Sequence, residues 1–264
     1  MSFSVTTYNV LADAYANRAW YPRTPALVLD PTWRVPALVQ YIAAIDAEII
    51  CLQEVELRVL AALRLRLGAA GYGTQYGRKN AGRPDGCAIF YRQANFDLVD
   101  ASVMAYADAD GASADSGYVA LIAQFRSVDG VIGVVNTHLT WDPPGTPLAS
   151  RRGYRQACQL LHEWEKIADL ADAWIVTGDF NVTPDSEIVA MVERAGLRYA
   201  HRDRPGVYTC SFNAQAKMID YLFHSSALSS EPQRIISIGD RTILPCAEEP
   251  SDHVAIAARF ERKA

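Results

Sequence analysis

Six short polar segments sit at or beside apolar, strand-like runs: TYN at Asn9, LQEV at Gln53 and Glu54, NTHL from Asn136 to His138, GDFN from Asp179 to Asn181, IDY at Asp220 and SDH from Ser251 to His253. They reach from one end of the 264-residue chain to the other. A carboxylate at the lip of a buried strand is costly unless it is paired or holds a cation, so these groups are expected to converge. Both ends of the chain then contribute to one centre, which predicts a single catalytic domain over residues 1–264. Carboxylates, amides and imidazoles gathered at strand ends suit a hard metal ion and a phosphate.

Half of the residues are hydrophobic and 21% are charged, ordinary globular composition with ample material for a core. No apolar run approaches the roughly 18 residues of a membrane span. The N-terminal MSFSVTTYNVL enters a strand-like alternation at once, without a charged leader or an Arg-rich transit segment. The expectation is a cytoplasmic protein with no membrane association, a monomer, and no docking module for a large complex. Cys51, Cys87, Cys158, Cys210 and Cys246 form no close pairs, and an odd count does not suggest a disulfide framework. Zinc is not indicated, and Cys51 and Cys87 read as buried thiols in apolar runs.

A formal charge of −5 argues against a protein that grips long nucleic acid by charge alone. Two local basic clusters remain, Arg78-Lys79-Arg83 and Arg151-Arg152-Arg155. Each has two readings, a solvated surface and a phosphate-binding rim, and Lys79 and Arg83 are candidate substrate-binding residues on the second.

Runs rich in β-branched and aromatic residues predict strands at Val5–Val10, Ile49–Gln53, Cys87–Tyr91, Val119–Phe125, Val131–Thr137, Trp174–Thr177, Met218–Phe223, Ile235–Ile238 and Val254–Phe260. Helical spacing links Val35, Leu38, Val39 and Ile42, and again Ala157, Leu160, Leu161 and Trp164. Two more helices are predicted over Glu56–Ala70 and from Pro184 to Gly196, with glycine closing each. Strands outnumber helices and often follow one another directly, so the fold class is α/β, two packed sheets with helices outside. The stretch Asp108–Gly117 reads as a mobile loop whose aspartates are solvated; their spacing fits no EF-hand.

The residues themselves suggest roles. Hard Mg²⁺ takes carboxylate and amide oxygens, which suits Glu54 with Asn9 or Gln53 nearby. In GDFN, Asp179 and Asn181 project from one tight turn, so the aspartate can orient and deprotonate a water while the asparagine donates to a phosphate oxygen. His138 and His253 can supply a cationic or donating imidazole to charge gathering on phosphoryl oxygens. Asp220 lies inside an apolar strand and needs a partner. Asp252 is a candidate metal ligand, and Trp141 with Pro143 can offer a flat face to a nucleobase.

The order and wording of these segments resemble the endonuclease/exonuclease/phosphatase superfamily of Mg²⁺-dependent phosphoesterases. Longer phrases, TYNVLADAYA from Thr7 to Ala16, YPRTP with LDPTWR between Tyr21 and Arg34, DGCAIFYR from Asp85 to Arg92 and NTHLTWDP from Asn136 to Pro143, resemble its branch of poly(A) deadenylases, 2′,5′-phosphodiesterases and RNA-phosphatase-like proteins. The resemblance implies a four-layer α/β sandwich of two mainly antiparallel sheets with the site at one end between them. It implies Glu54 as principal metal ligand, Mg²⁺ as cofactor with Mn²⁺ as substitute, and an Asp220–His253 pair in which the aspartate keeps the imidazole protonated. It implies an exonuclease working 3′ to 5′ on RNA, oligonucleotides or nucleotides, with a phosphatase acting on terminal or 2′,3′-cyclic phosphates as the alternative, and a non-catalytic module of the same fold as the remaining rival. Deadenylase relatives place an Asn and a Phe that hold adenine ten and five residues before the IDY-type aspartate. Here those positions are Cys210 and Gln215, a departure that counts against poly(A) specificity.

Overall fold

Alternation of side chains along each strand decides which layer each residue enters. The computed structural model describes residues 2–110, 113–204, 206–233 and 235–263. In chain order its elements are β1 (Ser2–Asn9), α1 (Ala26–Leu29), α2 (Pro31–Ile45), β2 (Ile49–Gln53), α3 (Leu57–Gly68), β3 (Tyr72–Arg78), β4 (Gly86–Arg92), β5 (Asp97–Ala105), β6 (Val119–Ser127) and β7 (Gly130–His138). There follow α4 (Arg152–Ile167), β8 (Ala173–Asp179), α5 (Glu187–Arg194), β9 (Arg198–Tyr199), β10 (Cys210–Phe212), β11 (Gln215–Lys217), β12 (Asp220–His224), β13 (Leu228–Pro232) and β14 (Ile256–Arg262).

Two six-stranded sheets form, in the orders β13-β14-β1-β2-β4-β3 and β5-β6-β7-β8-β12-β9, with β10 and β11 as a separate hairpin. The sheet pairings are antiparallel except β1 with β2 and β7 with β8. Phe3, Val5, Ile49, Cys51, Ile89, Leu121, Val134, Ile175, Leu222 and Phe260 fill the space between the sheets. On the outer face of the first sheet, Tyr8, Ile50, Leu52 and Phe90 pack against Leu38 and Ile42 of α2 and Leu60 and Leu63 of α3. On the outer face of the second, Val135, Trp174 and Val176 pack against Leu160 of α4 and Val189 of α5. The result is the expected four-layer α/β sandwich, in which each fully buried Val, Leu, Ile or Phe contributes roughly 1.5–3 kcal/mol of transfer free energy.

Local chemistry starts these helices. Asp30 accepts from Thr32 N at 2.7 Å with Pro31 at the first position of α2, and Ser186 accepts from Val189 N at 3.2 Å at the start of α5. The predicted strand Ile235–Ile238 does not form: β13, which ends at Pro232, takes the free edge of β14, while Ile235 and Ile238 pack into apolar clusters as side chains from irregular backbone. The strands β3 and β5 were not expected, because these sheet edges carry glycines or exposed faces rather than an apolar run.

The loop over residues 108–117 also departs from its expected character. Asp108 is fully buried and accepts from Ser116 N at 2.7 Å and from the Ser116 hydroxyl at 2.6 Å, and the Gln156 amide of α4 donates to it as well. A buried carboxylate with three donors anchors the loop instead of solvating it. Residues 111 and 112 of this stretch lie outside the described residues.

Among the described residues no helix is long and apolar enough to cross a membrane.

Candidate active site

The side-chain alternation that buries Val5, Cys51, Val134 and Ile175 between the sheets points Asn9, Gln53, His138 and Asp179 into the same space at the strand ends. Register then sets them side by side. His138 of β7 pairs with Asp179 of β8, Asp179 pairs with Asp220 of β12, and Asn9 of β1 pairs with Gln53 of β2. Asp220 is therefore the first residue of its strand, at the rim rather than in the middle. Gly178 makes the β7–β8 approach possible: its φ is +139°, and a Cβ there would lie 1.8 Å from Thr137 O.

Gln53 spends its amide nitrogen on neighbouring side chains. Its amide donates to Asn136 Oδ1 at 2.7 Å and to Thr7 Oγ1 at 2.9 Å, while Asn136 Nδ2 donates to the carbonyls of Leu52 and Ala88 at 2.9 Å each. These amides bolt one sheet to the other directly beneath the site.

Asp179 Oδ2 is the hub above them. Asn9 Nδ2 lies 3.0 Å from it, and the Nε2 atoms of His138 and His253 each lie 3.7 Å away. Its other oxygen accepts from Asn181 N at 2.9 Å, closing the turn in which Asn181 adopts φ +55°. Burial, and then Asp220, push the Asp179 carboxyl above the ordinary carboxylate range, against the pull of His253, Asn9 and Asn181 N.

Glu54 also sits in a left-handed conformation, φ +59°. It accepts from Ala12 N at 2.8 Å and Asn9 Nδ2 at 3.1 Å. Burial, Asp85 and Asp252 raise its pKa, and Lys79 and Ala12 N oppose them. Strained backbone at two candidate site residues is the sort of cost that persists where geometry is held for function. Asn9, expected as a ligand, turns its amide nitrogen to both carboxylates, while its oxygen accepts from Leu11 N at 3.0 Å. It bridges Glu54 and Asp179.

The surroundings push the two imidazoles in opposite directions. His253 Nδ1 lies 2.8 Å from Asp220 Oδ2. Burial works against its charge, yet Asp220, Cys210, Asp252 and Asp179 hold its pKa well above the ordinary value. His138 is held well below it by burial, Lys79, His253 and Arg83, which favours the donating form over the cationic one. Lys79 Nζ, which can only donate, lies 3.2 Å from His138 Nδ1, so the remaining ring proton belongs on Nε2, facing Asp179. Asn181 Nδ2, 3.1 Å from that nitrogen, has its own acceptor in Leu139 O at 2.8 Å.

Lys79 is not a surface residue. It is 2% exposed, 2.6 Å from Asp85 and 3.9 Å above the Tyr118 ring. Arg83 covers the same ring at 4.6 Å and donates to Ser116 O at 2.7 Å. Tyr118 in turn meets His138 edge-on, with centroids 5.0 Å apart, and Tyr15 donates to Asp85 at 3.1 Å. Asp85, Tyr118 and Tyr15 were not among the expected site residues, although Asp85 opens the DGCAIFYR phrase. Tyr21, which donates to Asp252 Oδ2 at 2.9 Å, was missed as well.

The second basic cluster is structural. Arg151 donates to Thr146 O at 2.7 Å, Arg152 to Ala114 O at 2.9 Å and Arg155 to Asp108 O at 2.8 Å, so all three tie loops to α4. Trp141 and Pro143 stand open at the rim beyond β7, Trp141 at 55% exposure. Asp142 between them accepts from Arg152 N and Gly153 N at 2.8 and 2.9 Å, which fixes their loop to the start of α4. Cys210 bridges to His253, whereas Gln215 is exposed and faces Phe212 across the hairpin.

Carboxylates, amides and imidazoles thus converge at the strand ends of both sheets of the sandwich. The model of the Endonuclease/Exonuclease/phosphatase family matches residues 6–253, and the chain belongs to that family. It is 30% identical over 212 residues to human Protein angel homolog 2, covering 75% of this chain and 38% of that protein. It is also 27% identical over 315 residues to a probable CCR4-Not complex 3′-5′-exoribonuclease subunit Ccr4 of Vairimorpha ceranae, covering 100% of this chain and 64% of that one. The chain thus spans less than two thirds of the length of these relatives.

Solved structures share the fold. A crystal structure of ANGEL2, described as a 2′,3′-cyclic phosphatase, in complex with adenosine-2′,3′-vanadate superposes with TM-score 0.85 at 22% identity, covering 100% of this chain and 96% of that one. The human Nocturnin catalytic domain with a bound sulfate anion gives 0.73 at 22% identity, covering 99% and 94%.

Proposed function

We propose that this chain hydrolyses a phosphodiester at the 3′ end of RNA or a short oligonucleotide, by in-line attack of water with a divalent cation, Mg²⁺ or Mn²⁺, in the site. The observation that carries this reading is Asp179 Oδ2 standing 3.7 Å from Nε2 of each imidazole, His138 and His253. A group with a raised pKa serves as general base near neutral pH. Asp179 takes that part, orienting the water and receiving its proton. His138 donates from Nε2 to a phosphoryl oxygen, Lys79 holds its tautomer from behind, and Asn181 offers its amide beside it. His253, kept cationic by Asp220, faces the charge that develops on the opposite oxygens.

The donor set fits a hard divalent ion. Glu54, Asp85, Asp179, Asp220 and Asp252 crowd one end of the sandwich with Lys79 and His253 as their buried cations, an excess of negative charge that a cation relieves. Asp220 Oδ1 is buried with no hydrogen-bond partner among the described residues. Glu54 and Asp252 would hold the ion, with Asn9 keeping Glu54 aligned. When bound, the ion supplies positive charge to the phosphoryl oxygens. Trp141 and Pro143 would flank the substrate on the β7 side.

A 5′-labelled panel of RNA, DNA, 2′,5′-linked, 3′-phosphate and cyclic-phosphate oligomers, incubated with Mg²⁺, Mn²⁺ or EDTA, tests the reading. A metal-dependent ladder shortening from the 3′ end of RNA is the expected product. Loss of the terminal phosphate without shortening replaces trimming with the phosphatase reaction, which the likeness to ANGEL2 favours as the second reading. No product in any lane overturns both.

A further inference from the structure

The largest exposed aromatic of the described residues other than Trp141 is Trp20, 60% exposed, and it stands on the other side of the site. An exposed tryptophan alone is ordinary. What singles this one out is its support. Phe212 of β10 braces the indole, with centroids 5.9 Å apart and planes inclined by 36°, and Tyr21 meets the same phenyl ring edge-on at 5.6 Å. Both supports are fastened to the candidate site: Tyr21 donates to Asp252 Oδ2 at 2.9 Å, Ser211 N donates to Asp252 O at 3.0 Å, and Cys210 bridges to His253. The hairpin is pinned at its tip as well, because Asn213 and Ala214 both take left-handed conformations, φ +51° and +58°, in the two-residue turn between β10 and β11.

Strand order fixes where this pair lies relative to the phosphate position. β8, which carries Asp179, is flanked by β7 on one side and β12 on the other. Trp141 follows β7, whereas the Trp20–Phe212 pair attaches to Asp252 and His253, the latter paired with Asp220 of β12. The geometry points to Trp20 and Phe212 as a nucleobase-stacking platform on the His253 flank, which holds the base of a nucleotide neighbouring the phosphate, opposite Trp141. Arg23 lines the same cleft and offers charge to a backbone phosphate of that nucleotide. Stacking on an aromatic face accepts any base. The inference rests on the hydrolase reading above and deepens it by naming a substrate contact.

Binding and hydrolysis separate the two claims. An RNA tetranucleotide is titrated against the intact protein in EDTA, following tryptophan fluorescence, and its cleavage is then measured with Mg²⁺. For Trp20→Ala and, as a second variant retaining more of the packing, Phe212→Leu, the Kd and KM are expected to rise tenfold or more, with kcat within threefold of wild type and melting temperature unchanged. An otherwise identical tetranucleotide lacking its bases should bind wild type and Trp20→Ala equally. Kd and KM unchanged within twofold in both folded variants overturn the platform and leave the hydrolase reading intact. Tight, Trp20-dependent binding of a tetranucleotide that is never cleaved overturns the hydrolase reading and supports the platform.

Discussion

Lys79 Nζ lies 3.2 Å from Nδ1 of His138, whereas the corresponding nitrogen of His253 lies 2.8 Å from an Asp220 carboxylate. One residue type is thereby placed in two opposite roles on either side of Asp179. Environments that drive like groups apart in pKa are how a site obtains both a neutral donor and a cation at one pH.

Lys79→Met removes one partner of a buried ion pair and leaves Asp85 unpaired, so a loss of about 3–5 kcal/mol of stability is expected. Adding Asp85→Asn should restore most of it, read by urea denaturation. Activity should stay depressed in both variants, because Lys79 is among the groups that hold the His138 pKa down. NMR titration of the His138 ring in Lys79→Met should show it protonating at higher pH than in wild type. An unchanged titration would detach Lys79 from that role.

Glu54→Ala is expected to abolish metal-dependent turnover while raising the melting temperature of the metal-free protein, because a carboxylate with an unfavourable burial cost leaves the site. Melting curves with and without Mg²⁺ check both halves: wild type should be stabilised by the ion and the variant should not. Turnover within tenfold of wild type contradicts the assignment of Glu54.

Glu249 supplies a further stability signal. It is buried, accepts from the Tyr8 hydroxyl at 2.6 Å, and burial lifts its pKa to about 7 despite Tyr8 and Tyr41. The folded state thus holds this proton at pH values where the unfolded chain, with an ordinary pKa near 4.5, has released it. Stability therefore falls as pH rises from about 4.5 to about 7, by on the order of 3 kcal/mol from this group, and is flat in it outside that window. Glu249→Gln should remove that slope from a series of urea denaturations across pH 4–8; an identical slope in both proteins would reject it.

Poly(A) and poly(U) should be degraded at similar rates. Cys210 packs against His253 and Gln215 is exposed, so neither presents a base-reading pair, and aromatic faces at the rim stack any base. A tenfold preference for poly(A) would require another residue that reads adenine.

The apolar runs that lead to Asn9, Gln53, Thr137 and Thr177 were legible as strands, and the polar groups that close them as members of one site. Two packed sheets follow from those runs, whereas the place of the site at one end between the sheets enters only with the family resemblance. Lys79 was not legible: beside Arg78 and Asn80 it reads as surface, and only the pairing of β3 with β4, together with the return of Asp85, buries it. Asp108 misled for the same reason, since its partners Ser116 and Gln156 lie 8 and 48 residues away. Ile235 and Ile238 carry the composition of a strand without a free neighbour to pair with. Amide orientation at Asn9 depends on a single backbone donor, Leu11 N, which no spacing rule announces.

Groups around Asp179 that act as one unit should lose function together, and the Asp220–His253 pair is where this shows first. The measurement is the pH dependence of kcat on an RNA oligomer for Asp220→Asn, His253→Ala and the double variant. Asp220→Asn should lower kcat and move the alkaline limb to lower pH, because the His253 ring then loses its proton sooner. The double variant should lie within about threefold of the worse single variant. Losses that multiply in the double variant, with an alkaline limb that does not move, would contradict the account.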